Sequence, residues 1–77
     1  MNYDAIIRGA LTSNYPDKET TSLLLSHLNI KFIPLRTQSI LEQYGNVEVL
    51  TITHCHLRNL EHFPKLKSVT QLNLSHN

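Results

Sequence analysis

The chain has one cysteine, two glycines and no tryptophan among 77 residues. A lone cysteine excludes an internal disulfide and fits a reducing compartment. Two glycines leave little for a phosphate-cradling loop. Neither G-x-S-x-G nor H-E-x-x-H occurs, so there is no catalytic constellation and no cofactor is expected. Charge of one sign is also missing: seven Lys and Arg face six Asp and Glu, for a net charge of +1. That balance gives no electrostatic footprint for nucleic acid, and direct nucleic-acid binding is not expected. No apolar run approaches the roughly 20 residues of a membrane span. The opening MNYDAIIRGAL lacks both a basic n-region and a long apolar core, so it does not read as a secretory signal. Asn2 excludes N-myristoylation. A chain this short buries too little surface to be robust without staples.

What is present is a periodic apolar pattern. From Val47 to Asn77 the apolar positions that carry the pattern are Val47, Leu50, Ile52, Leu57, Leu60, Phe63, Leu66, Val69, Leu72 and Leu74. Leu50 and Leu72 lie 22 residues apart, each within V-x-x-L-x-[IL]-[ST]-H-[CN]. This is the leucine-rich-repeat pattern at an expected period. The fold expected is an α/β solenoid, a right-handed superhelix with an N-terminal capping helix and about three short parallel strands. Residues 1–20 would be the capping helix and turn, 21–46 the first repeat, 47–68 the second, and 69–77 the start of a third. Arrays of this kind need capping units and about three repeats. The expectation is therefore the N-terminal part of a longer protein.

The capping helix is expected from Asn2 to Leu11, with Tyr3, Ile6, Ile7, Ala10 and Leu11 on one face and Asn2 or Asp4 at its start. Thr12 to Thr20 reads as turn and loop around Pro16-Asp17. Ser22 to Ile33 is a degraded first repeat, with Leu23, Leu25, Leu28, Ile30 and Ile33 in the repeat positions. From Leu23 to Leu50 is 27 residues, five more than the next spacing. The surplus predicts a helix after Pro34, with Ser39 to Glu42 in capping-box form and Gly45-Asn46 as the stop. Ile40, Leu41 and Tyr44 would form its buried face. Glu61 to Ser68 is shorter, carries Pro64 and predicts tight turns. The expected core is Ile6, Ile7, Leu11, Leu23, Leu25, Ile30, Ile33, Leu41, Val47, Leu50, Ile52, Leu57, Leu60, Phe63, Leu66, Val69, Leu72 and Leu74.

Alternation along a strand sends successive side chains to opposite faces. The concave, protein-binding face is therefore expected to carry Ser22, Leu24, Ser26 and His27; then Val49, Thr51, Thr53 and His54; then Gln71, Asn73, Ser75 and His76. None has a fixed charge, which suits neither a basic partner nor phosphate. Binding there would use hydroxyls, amides and small apolar contacts. His27, His54 and His76 share one repeat position, and strands about 4.8 Å apart would bring their rings into a ladder. A straight row converges poorly on a tetrahedral ion, and Cys55 should point away from His54, so the ladder reads as a tolerant polar position rather than a metal or pH-sensing site. Cys55 reads as an inert buried residue. His56 and His62 are expected to face solvent, and Arg58, Lys65 and Lys67 to form a solvated convex edge.

The N-terminal helix, Pro-containing turn, T-S-L-L-L strand and long first repeat, followed by P-K-L-K-S-V-T-Q-L-N-L-S-H-N at Pro64 to Asn77, resemble the start of the acidic leucine-rich nuclear phosphoprotein family. The resemblance spans nearly the whole chain. It implies a protein-interaction domain of nucleus and cytoplasm whose partners are phosphatase, histones and chromatin regulators. The family's long acidic tail is absent from this sequence, and so is the charge that histone binding leans on. Similar capped repeat domains occur in the spliceosomal U2 A′ protein and in regulatory subunits of type-1 phosphatase. In such relatives the domain is a scaffold.

Overall fold

The structure, a computed structural model, describes residues 2–77. Two helices and three strands follow in the order α1 (Tyr3–Asn14), β1 (Ser22–Ser26), α2 (Leu35–Glu42), β2 (Val49–Thr53) and β3 (Gln71–Asn73). The strands form an open parallel sheet, ordered β1-β2-β3. The fold class is therefore α/β. Leu23 pairs with Leu50, and Leu50 with Leu72, so register follows the 27- and 22-residue spacings of the sequence.

Alternation places Leu23, Leu25, Leu50 and Ile52 on the inner face, where all four are buried. Ile7, Leu11, Ile30, Ile33, Leu41, Val47 and Leu57 complete the core expected from the pattern, and Tyr44 and Cys55 join it. Ile6, Phe63, Leu66, Val69 and Leu74 pack against it half-buried. Two expected core residues are not buried: Leu60 is 55% exposed and Leu72 50% exposed. Both lie on the β3 side of the molecule, where the sheet has a neighbour on one edge only.

Helix α1 runs three residues past its expected end. Tyr15 N–H still reaches Leu11 O at 2.8 Å, and the chain leaves the helix at Tyr15, before Pro16. A proline disfavours helical geometry in the residue ahead of it, so the stop belongs there. Asn2 is the cap, its side chain accepting from Ala5 N–H at 3.0 Å. Asp4 is drawn inward instead, to Arg8 and to the buried hydroxyl of Thr37. Arg8 also donates to Arg36 O, and the rings of Tyr3 and Phe32 meet edge to face at 4.9 Å.

Helix α2 starts five residues earlier than the capping-box reading placed it. Pro34 is extended at the N-cap and its carbonyl accepts from Thr37 N–H at 3.0 Å. Proline's fixed φ suits that entry. Ser39 is then interior to the helix, its hydroxyl turned back to Arg36 O. The helix ends at Glu42, ahead of Gly45-Asn46. Thr37 and Leu41 are its buried residues, with Tyr44 buried just beyond its end.

The connection from β2 to β3 is a pair of tight turns, closed by Phe63 N–H to Leu60 O and Val69 N–H to Leu66 O. Gln38 reaches Phe63 O, and Glu42 accepts from Lys65 N–H, which ties this segment to α2. His62 is half-buried, with Nδ1 3.3 Å from Ile33 O, and not solvent-facing as expected. Its backbone is left-handed, with φ of 59°.

Candidate protein-binding face and histidine ladder

The outward row of the three strands carries Ser22 and Leu24, then Val49 and Thr51, then Gln71 and Asn73. Ser22, Leu24, Gln71 and Asn73 are exposed, and Val49 and Thr51 half-exposed. Ser26 is half-buried and Thr53 is buried, at 8% exposure. Thr53 sits on the central strand, paired with Ser26, and its carbonyl accepts from His27 N–H. Of the expected face it is the one residue withdrawn from the surface. Ser75 is exposed just past β3, its N–H held by Asn73 Oδ1 at 2.9 Å. No strand residue is charged.

Past each strand the backbone turns through a histidine. His27, His54 and His76 have φ of 58°, 55° and 61°. Left-handed backbone is uncommon for a residue with a Cβ, although histidine is among the types enriched there. One repeated conformation launches the three side chains in one direction. Their rings stack, His27 on His54 at 4.7 Å and 18°, and His54 on His76 at 4.5 Å and 14°. All three are exposed. Burial lowers the pKa of His54, as does the charge that His76 and His27 carry when protonated. Near-parallel rings present their nitrogens side by side, not toward one point. Among the described residues no three His, Cys, Asp or Glu side chains are grouped to hold a metal ion.

Behind the ladder, Asn77 and Cys55 close the turns. Asn77 Oδ1 accepts from the N–H of Cys55 at 3.0 Å and of Leu57 at 3.3 Å, and Nδ2 donates to Ile52 O at 2.7 Å and Leu74 O at 2.9 Å. This is the satisfaction of turn backbone that an asparagine at this position is suited to give. Cys55 takes the same place one turn earlier. Its Sγ–H donates to Thr53 O and, more distantly, to Leu25 O. Burial raises its pKa, although the backbone N–H groups of Leu28 and His27 oppose this. A protonated, buried thiol of this kind is a poor nucleophile.

Comparison with family models, characterised proteins and solved structures found no match.

Beside β1 lies a depression of about 340 Å³, lined by Ala10, Tyr15, Leu24, Ser26 and Leu28 among others. The Tyr15 hydroxyl accepts from Leu24 N–H at 2.9 Å, on the edge of the sheet that has no strand neighbour. Tyr15 O in turn accepts from the Tyr44 hydroxyl at 2.7 Å. Thr20 donates to Ser22 O along the same edge. No sequence pattern marks Tyr15 for this work, because its partners are nine and 29 residues away. Among the described residues no helix is long and apolar enough to cross a membrane.

Proposed function

We propose that this chain is a leucine-rich-repeat solenoid serving as a non-catalytic protein–protein interaction module. In this reading it resembles the acidic leucine-rich nuclear phosphoproteins, works in nucleus and cytoplasm, and takes phosphatase, histones or chromatin regulators as partners. Neither cofactor nor nucleic acid is required. The observation that carries the reading is the Asn77 carboxamide, which bonds backbone groups of the preceding turn, 20 to 25 residues upstream. Such bonding from one turn to the next is what a stacked repeat needs from its asparagine. The 22-residue register between β2 and β3 supports it further.

The uncharged strand face favours a second reading over histone binding, a scaffold of the kind found in the spliceosomal U2 A′ protein or in type-1 phosphatase regulatory subunits. A face with no carboxylate gives a strongly basic partner little to pair with.

The test is direct binding of purified histones, phosphatase catalytic subunits and spliceosomal proteins to the native chain and to its Thr51→Arg and Asn73→Arg variants. Capture that is lost in both variants supports the strand face as the binding surface. Binding unchanged by both variants, or none to any of these proteins, sinks the reading.

A further inference from the structure

We propose that the ladder His27, His54, His76 is a proton-gated docking strip for a carboxylate-rich segment of a partner protein, resting on the strand face being the binding surface. The geometry that carries it is a continuous stack of three exposed imidazoles, with ring centroids 4.7 and 4.5 Å apart. The three histidines share one left-handed backbone conformation, which starts their side chains from equivalent positions.

The surroundings set the sign of the partner. Besides the ladder, residues 28–33 and 55–60 of the turns after β1 and β2 hold Lys31, the buried Cys55 thiol, His56 and Arg58 as their titratable groups and no carboxylate side chain. Arg58 N–H bonds Lys31 O at 2.8 Å, so these two residues lie in neighbouring turns. The charged groups acting on His54 are its two ladder neighbours. Among the described residues, no acidic side chain is among the groups acting on His54. Asp17, Glu19 and Glu48 precede the strands, at the opposite end of the sheet from the ladder.

Like charge on His76 and His27 opposes protonation of the central His54. Carboxylates laid along the stack would remove that repulsion and supply acceptors for the new N–H donors. Docking would then draw protons onto the ladder, and affinity would rise as pH falls through the histidine range. A neutral or basic segment would gain nothing from the same change. The strip therefore adds selectivity for acidic partners that the uncharged strand row does not itself have.

The test is calorimetric titration of the native protein with a short Glu/Ser peptide and its Gln/Ser counterpart, at about pH 6 and about pH 7.5, in buffers of different ionisation enthalpy. The expected result is binding of the Glu/Ser peptide roughly tenfold tighter at the lower pH, with net proton uptake. The Gln/Ser peptide is expected to show neither. The triple variant His27→Asn, His54→Asn, His76→Asn keeps a residue type that tolerates left-handed backbone. It should fold by circular dichroism and lose both the pH dependence and the proton uptake. Equal affinity at the two pH values, or unchanged behaviour of the triple variant, would overturn the proposal. Tighter binding of inorganic phosphate or a single-stranded oligonucleotide than of the peptide would overturn it too. The two readings separate cleanly. If the purified partner is lost by Thr51→Arg but bound without pH dependence by the native chain, the strand face stands and the strip fails.

Discussion

The hydroxyl of Thr37 donates a 2.7 Å hydrogen bond to Asp4 Oδ1, and this buried contact joins α1 to α2 across 33 residues. That hydrogen bond is the main influence lowering the Asp4 pKa. Desolvation opposes it, while Arg8 and Arg36 add to it. A carboxylate with a depressed native pKa binds fewer protons folded than unfolded. Its contribution is present above the ordinary value of 3.8 and lost as pH falls through the native value. Thr37→Val is therefore expected to raise the Asp4 pKa and move acid unfolding to higher pH. Thr37→Ser, which keeps the hydroxyl, should shift both less. Carboxyl NMR titration and an acid-unfolding curve followed by circular dichroism check the two effects.

Gly9 lies inside α1 with nothing within 4 Å of the Cβ position. Its φ is not positive, so no backbone constraint demands glycine there. Gly9→Ala should stabilise the protein by about 0.5–1 kcal/mol through helix propensity and reduced freedom of the unfolded chain. Thermal melts should show a rise of several degrees; a lower melting temperature would mean that this face of α1 is covered in solution.

Leu50 and Leu72 are paired in the sheet and equivalent in pattern, yet one is buried and the other 50% exposed. Leu50→Ala should cost about 2–5 kcal/mol, enough to unfold a chain of this size. Leu72→Ala should cost about 1 kcal/mol, since much of its side chain already meets water. Urea unfolding of the two variants separates them, and equal losses would contradict the burial contrast.

Asn77 supplies acceptor and donor to three backbone groups of the preceding turn. Asn77→Ala leaves them without this partner, at a cost of about 1–3 kcal/mol for groups shielded from water. Hydrogen exchange should quicken at the Cys55 and Leu57 amides and stay unchanged at Ala5, whose N–H is held by Asn2.

The strands were legible because Leu23, Leu25, Leu50 and Ile52 alternate with outward-facing neighbours, and a period of two is the mark of a half-buried strand. The 27- and 22-residue spacings foretold register. Helix ends were less legible. Ser39 to Glu42 has capping-box form, but Pro34 had already opened the helix, and the motif's hydroxyl was used inside it. The Asp4–Thr37 bond leaves no local pattern, because neither residue's neighbourhood points to the other. Leu60 and Leu72 look identical in sequence to buried positions; burial depends on what lies beside the strand, which spacing alone does not encode. Of the candidate face, the row of uncharged residues and the alignment of three histidines were readable. Their shared left-handed backbone, which orients the stack, was not.

The Tyr15 hydroxyl meets Leu24 N–H on the outer edge of β1, and β3 has no comparable plug among the described residues. A foreign strand seeking backbone partners finds the outer edge of β1 half-sealed by an aromatic stopper. Tyr15→Phe would remove that acceptor and leave the Leu24 N–H open to such a strand, at little cost to the core.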